Sequence, residues 1–276
     1  MLHNASIRVS IVGCGWLGLP LAKFLLRRGF SVKGSTTQVE KLNLLENLDI
    51  VPYLVRLNPA LSGDNLDSFF DSDIAIINIP PGRKSITDDY VLKMQNLNGA
   101  IDLSTISRVI FISSTSVYPN TDDWVNEESD IDSSEGALRM FYAEDVFREN
   151  SNLQTTIIRM AGLIGPDRHP GRFFGGRENT PNGLAPVNLI HLEDCIGLIY
   201  EVINRNFWNK TINGVSPSHP QKQDFYDLAS MNYNGSKAIF IPEKKDFKIV
   251  ESKIVGNELH YQFKYPNLME CLNIGW

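Results

Sequence analysis

Apolar residues at Ile7, Val9, Ile11 and Val12 form a β-like run close to the start of the chain. Gly13-Cys14-Gly15-Trp16-Leu17-Gly18 follows without a break, and Leu17, Leu21, Phe24 and Leu25 then recur at helical spacing. Arg27 and Arg28 stand in the last turn of that helix, where cations suit the helix dipole, and Gly29 supplies its stop. A second β-like run covers Phe30 to Thr36. The opening segment therefore predicts strand, glycine turn, helix and strand in succession.

The alternation continues. Strands are predicted over Ile50–Leu57, Asp73–Ile79, Arg108–Ser113 and Thr155–Arg159, with helices over Asp64–Phe70, Tyr90–Leu103 and Leu138–Glu149 between them. Strands that alternate with helices pair in parallel and are covered on both faces. After about residue 165 the rhythm breaks: Gly165 to Pro186 is rich in Gly, Pro, Arg and Asn. A helix over Leu192–Asn204 is expected to return to the sheet. A helix over Gln223–Met231 and β-like pieces at Ala238–Ile241 and His260–Tyr265 complete a smaller region. The expected architecture is α/β: a doubly wound parallel sheet over 1–165, with a small C-terminal cap over 166–276.

A lone GxGxxG is weak evidence, but this one follows a strand and opens a helix inside a βαβ unit. Gly13 permits the tight turn, Gly15 lets a pyrophosphate approach the backbone, and Gly18 lets helix and strand pack closely. Sites that prefer NAD place an acidic residue at the end of the second strand, against the ribose 2′-hydroxyl. From Gly18 to Glu40 this chain has none. Its strand ends Lys33-Gly34-Ser35-Thr36-Thr37, so the Ser35 and Thr36 hydroxyls, with charge from Lys33 or Lys41, point to NADP(H) over NAD(H).

Composition narrows the classes. With 26 Lys+Arg against 32 Asp+Glu the formal charge is −6, which argues against nucleic acid or an anionic membrane as partner. Hydrophobic residues are 42% of the chain, enough for a core. Apolar stretches such as Ile74–Ile77 fall far short of the ~20 residues of a spanning helix. No basic-then-apolar leader opens the sequence, so a cytoplasmic protein is expected. Cys14, Cys195 and Cys271 form no framework, and His3, His219 and His260 share no metal-ligand spacing with Cys or Asp, so no metal is expected.

Gly13 to Gly18 together with Ile112-Ser113-Ser114-Thr115-Ser116-Val117-Tyr118 resembles the short-chain dehydrogenase/reductase superfamily, in its extended NAD(P)-dependent epimerase/dehydratase branch. Arg159-Met-Ala-Gly-Leu-Ile-Gly165-Pro166 and Pro186-Val-Asn188-Leu-Ile-His191-Leu-Glu-Asp194 extend the resemblance in the family's order. The tail from Ser252 to Pro266 resembles a small bacterial group of atypical, epimerase/dehydratase-like members. The resemblance implies a Rossmann-type domain with a small C-terminal substrate-binding cap, and cofactor contacts at Gly13, Gly15, Trp16, Leu17, Gly18, Ser35, Thr36, Ile79, Pro80, Ser113 and Gly162. It also implies that Ser114 hydrogen-bonds the substrate oxygen that becomes, or ceases to be, a carbonyl.

The family's Tyr-x-x-x-Lys signature is missing. Counting back from Glu144 puts Gly136 where the tyrosine belongs and Met140 where the lysine belongs; starting from Tyr142 instead puts Val146 in the lysine position. A tyrosine without the lysine that lowers its pKa is a poor base near neutral pH. Arg139 and Tyr142 are the candidates to fill the gap. The stretch Asp167 to Phe174 adds Arg168, His169 and Arg172, which suit an anionic substrate. Asn188 and His191 are further candidates for the substrate pocket. The sequence thus predicts an NADP(H)-dependent oxidoreductase or epimerase-like enzyme, monomeric or homodimeric, acting on a small polar metabolite. The rival is a non-catalytic dinucleotide-binding regulatory or sensor protein.

Overall fold

The computed structural model describes residues 6–82 and 89–274. From the N-terminus, β1 (Arg8–Val12), α1 (Gly18–Arg27) and β2 (Ser31–Thr36) form the expected βαβ unit. Next come α2 (Leu42–Glu46), β3 (Val51–Asn58), β4 (Ala60–Gly63), α3 (Leu66–Phe70), β5 (Ile74–Ile77), α4 (Tyr90–Asp102) and β6 (Arg108–Ser114). Beyond them lie β7 (Trp124–Val125), α5 (Glu135–Arg148), β8 (Gln154–Met160), β9 (Gly162–Ile164), β10 (Leu189–His191), α6 (Leu192–Asn204) and β11 (Thr211–Gly214). The chain ends with α7 (Lys222–Asn234), β12 (Ile249–Val250), α8 (Lys253–Asn257) and α9 (Leu268–Cys271).

Among the described residues, eight strands form the central sheet in the order β11-β8-β6-β5-β1-β2-β3-β4. β1 pairs in parallel with β2 on one side and β5 on the other, while β2–β3 and β5–β6 are also parallel. The chain therefore winds outward through β1, β2 and β3, then crosses back to start again at β5. β4 is an antiparallel addition beside β3. Strands buried on both faces read as unbroken apolar runs, and all four side chains of Ile74–Ile77 are 0% exposed. The α/β, doubly wound sheet expected from the sequence is the sheet observed.

Contacts divide the chain into two compact units. The first comprises residues 1–113, 134–158 and 202–211, and the second 114–133, 159–201 and 212–276. The chain passes between the units several times, and α6 is split near Glu201. In the second unit β9 pairs with β10 and β12 with β7, both in parallel. Phe225, Ala229, Leu189, Val187 and Leu268 pack into a core of their own.

Two sequence expectations fail here for a local reason. His260–Tyr265 is not a strand, because the backbone N–H groups of Lys264 and Tyr265 donate to the Asp194 carboxylate at 2.6 and 3.0 Å rather than to a neighbouring strand. Ala238–Ile241 makes one isolated bridge, Thr180 to Phe240, and leaves Ile239 and Ile241 exposed.

Helix α5 shows how a face is chosen. Ala137, Met140, Ala143, Glu144 and Phe147 are buried and recur at helical spacing. Phe147 stacks on Phe111 of β6 with ring centroids 5.4 Å apart, whereas Tyr142 on the far face is 52% exposed. Phe147→Ala should accordingly cost about 3–5 kcal/mol in urea unfolding. Tyr142→Ala, its exposed neighbour, should stay within about 0.5 kcal/mol; a large effect at Tyr142 would contradict this orientation of the helix.

Candidate functional site

The turn after β1 is built around missing side chains. Gly13 has φ +104°, and a Cβ there would lie 2.6 Å from the Asn78 carbonyl oxygen. A Cβ on Gly18 would lie 2.2 Å from the Gly13 carbonyl oxygen, so only glycine lets α1 start this close to the turn. At Gly15 a Cβ would meet nothing within 4 Å: the backbone there faces open space. The turn is tied to both neighbouring strands. Gly13 N–H donates to Ser35 Oγ (2.9 Å), Cys14 N–H donates to the Ser35 carbonyl (2.8 Å), and Asn78 Nδ2 donates to the Gly13 carbonyl (3.1 Å).

A cavity of about 400 Å³ opens at this point, at the carboxyl ends of β1, β2 and β5 and inside the first unit. Its position is the crevice where the winding of the sheet reverses, where ligands of open α/β sheets bind. Gly13, Gly15, Ser35, Thr36, Ile79 and Pro80 line it, so six of the eleven residues expected at the cofactor meet there. Trp16, Leu17 and Gly18 complete the turn and the start of α1; Leu17 is buried beneath it. Ser113 is buried on β6 and donates to Glu144 Oε1 at 2.5 Å, while Gly162 stands on β9 in the second unit.

Of the two lysines considered for the end of β2, Lys41 lines the cavity. Lys33 does not: its ammonium donates to the Ser68 and Asp71 carbonyls, both at 2.5 Å. Burial pushes the Cys14 thiol up to about 12, so it stays protonated and unreactive at neutral pH although it lines the cavity.

Sequence reading missed several lining residues. Thr37 and Gln38 extend the polar rim beyond β2, and Val55 and Leu57 of β3 supply an apolar wall. Asp89, Tyr90 and Lys93 reach it from the start of α4. Lys93 is ion-paired with Asp89 at 2.8 Å, and Tyr90 donates to the Ile79 carbonyl at 2.9 Å. Only the last group carried a signal, the acid and base four residues apart at a helix start.

Arg139 lines the same cavity from α5. Met140, where the sequence expectation placed a lysine, is buried in the helix's inward stripe, and Gly136, where it placed a tyrosine, is exposed. Glu144 is fully buried and held by Ser113 and by Arg148 at 2.7 Å.

The remaining candidates lie in the second unit. Ser114 Oγ accepts from the Ser116 N–H at 3.1 Å, which leaves its own proton to donate. His169 and Arg172 line an open cavity of about 870 Å³ together with Asp167 and Tyr233. His169 Nδ1 accepts from Gly171 N–H, its ring stacks on Tyr233 at 5.1 Å, and Arg172 donates to the Asp167 carbonyl at 2.7 Å. Arg168 is exposed on the same loop. Asn188 is committed to backbone: it donates to the Lys248 carbonyl and accepts from Val250 N–H. His191 is buried against Tyr265, its Nδ1 accepts from Glu193 N–H, and burial lowers its pKa to about 4.

The comparisons with known proteins fit this geometry. The protein YeeZ of Escherichia coli strain K12 is 35% identical over 266 residues, covering 94% of this chain and 97% of its own. The chain belongs to the YeeZ family. No protein-family profile matches it. A structure of a functionally unknown conserved protein from Silicibacter pomeroyi aligns with this YeeZ-family chain at TM-score 0.78 and 20% identity, over 98% of this chain and 97% of the other. UDP-N-acetylglucosamine 4-epimerase from Bacillus cereus aligns at 0.77 and 17%, over 97% of each chain. A short-chain dehydrogenase/reductase superfamily protein from Agrobacterium tumefaciens, solved with bound NAD, aligns at 0.76 and 14%, over 96% of this chain and 95% of the other. The YeeZ-family chain thus has the fold of the NAD(P)-dependent epimerases and short-chain dehydrogenases that its motifs resemble.

Two outcomes follow from this geometry. Gly18→Ala should destabilise the fold by at least about 1–3 kcal/mol by forcing the Gly13 carbonyl away; an unchanged melting temperature would contradict the close approach. His191 has a folded pKa below its unfolded value near 6.5, so its neutral ring favours folding above pH 6.5, and that contribution is lost as pH falls toward 4. The loss is about 3 kcal/mol at ~1.36 kcal/mol per unit. Between pH 7 and 4.5 a His191→Asn variant should lose stability less steeply than the parent, as measured by denaturant midpoints. Parallel curves would show that His191 does not titrate in this window.

Proposed function

We propose that this YeeZ-family chain is an NADP(H)-dependent oxidoreductase or epimerase-like enzyme of atypical short-chain type, acting on a small polar, anionic metabolite in the cytoplasm. The observation that carries the reading is the cavity at the end of β2, where Thr36, Thr37, Gln38 and Lys41 stand and the strand carries no carboxylate. A cationic, hydroxyl-bearing rim suits a 2′-phosphate and lacks the acid that would hold a bare ribose. The open space at Gly15 and the start of α1 fit the pyrophosphate, and Val55 and Leu57 offer a face for the adenine.

When bound, the nicotinamide supplies a hydride donor or acceptor. Ser114, its oxygen occupied by Ser116 N–H, donates its proton to the substrate oxygen and polarises it. Arg139 supplies the fixed positive charge that Met140 cannot. Arg168 and Arg172 hold an anionic group of the substrate. Three reduced, buried cysteines suit a reducing compartment.

A second reading has its own support. With Gly136 and Met140 in place of the acid–base pair, the site suits a sensor that binds the dinucleotide without turnover. Lys41→Ala should weaken NADPH about tenfold, close to 1.4 kcal/mol, and leave NADH within about twofold, read by cofactor fluorescence. Equal losses for both would remove the 2′-phosphate argument. For the enzyme reading, Arg172→Ala should raise KM for the substrate found by an absorbance screen at the nicotinamide band; unchanged kinetics would take the arginine loop out of substrate binding.

A further inference from the structure

The second unit holds a smaller cavity, about 280 Å³, that shares no residue with the Arg172 cavity. Two lysines line it from distant parts of the chain, Lys222 at the start of α7 and Lys248 just before β12. Neither has a carboxylate partner within ion-pair distance among the described residues. Lys222 makes one long hydrogen bond, 3.5 Å to the Pro181 carbonyl, and its ammonium faces the rings of Phe174 and Phe240 at 5.2 and 5.8 Å. Lys248 donates to the Tyr118 carbonyl. An ammonium has three donors, so each keeps two more to offer. Burial lowers the pKa of both; at Lys248 the Asp132 carboxylate opposes that shift in part, while at Lys222 burial acts alone.

A third group points into the same need. Asn182, in a left-handed turn at φ +63°, lines the cavity, and its Oδ1 is a buried acceptor with no hydrogen-bond partner. A buried acceptor left unsatisfied is costly and is met in other proteins by a donor, water or ligand. Tyr226 and Phe247 give the cavity an apolar side, and Asp246 is its one carboxylate, on an exposed turn.

We propose that this cavity is a binding site for a small hydroxylated anion. Its carboxylate or phosphate head is held between Lys222 and Lys248, and one of its hydroxyls donates to Asn182 Oδ1. It is a ligand site separate from the Arg168/Arg172 loop assigned to the substrate above, and it stands on its own residues. Lysines rather than an arginine fork suit a head group bound as a point charge, and 280 Å³ limits the ligand to about the size of a sugar acid or a triose phosphate.

The test is calorimetry on the full chain without dinucleotide, with gluconate and glycerol 3-phosphate as probes and sorbitol and glycerol as their uncharged counterparts. At least one anion should bind saturably and at least tenfold tighter than its counterpart. Lys222→Met and Lys248→Met should each weaken it tenfold or more, Asn182→Ala severalfold, and Lys222→Arg should retain it within about threefold. Thermal midpoints of the unliganded variants report on folding, and the arginine variant keeps the test open if a methionine variant misfolds. Binding of neither anion, binding equal to that of the neutral polyols, or binding unchanged in both methionine variants would overturn the proposal. NADPH binding with no anion binding sinks this site alone, and anion binding with no NADPH binding sinks the dinucleotide reading alone.

Discussion

The candidate site depends on a contact that a single methyl group would prevent. Gly18 approaches the Gly13 carbonyl so closely that a Cβ would lie 2.2 Å from it, and Gly13 itself leaves no room for a Cβ beside Asn78. That closeness lets α1 begin directly over the end of β1, with Gly15 of the turn at the crevice. Hydrogen bonds from Gly13 and Cys14 to Ser35, and from Asn78 to Gly13, then lock β1, β2 and β5 together where the winding reverses. The cavity is a consequence of that arrangement.

Helix α5 decides which side chains reach the cavity. Met140, where the sequence resemblance calls for a lysine, is buried in an apolar stripe with Ala137 and Phe147. A long cation cannot replace it without unpaired burial. Arg139, one residue earlier and rotated about 100° around the helix, reaches the cavity instead. Glu144 stays buried, where Ser113 and Arg148 supply the donors that a carboxylate without solvent requires. The helix thus packs an apolar stripe and a buried acid against the sheet and presents Arg139 to the cavity.

Much of the first unit was legible in the sequence because its signals are local. The strand–glycine–helix run, the unbroken apolar strand Ile74–Ile77 and the acid-free end of β2 each lie within a few consecutive residues. What escaped was assembled from afar. Asp89, Tyr90 and Lys93 join Thr37 and Lys41 only once β5 lies beside β1, and no periodicity encodes that. Lys33 looked as useful as Lys41, but its ammonium turns to the Ser68 and Asp71 carbonyls. The second unit was harder still. Its tail has β-like composition, yet Asp194 captures the amides of Lys264 and Tyr265 that a strand would use. Asn182 and Lys248 lie in loops and Lys222 opens α7, and no motif links the three.

The central claim is that the crevice at Gly13–Gly18 holds a phosphorylated dinucleotide. Titration of the intact protein with NADPH and with NADH, followed by cofactor fluorescence, tests it most directly. The account predicts saturable binding of NADPH, at least tenfold tighter than that of NADH. Binding of neither would reduce the glycine turn to architecture, and tighter binding of NADH would contradict the reading of the β2 rim.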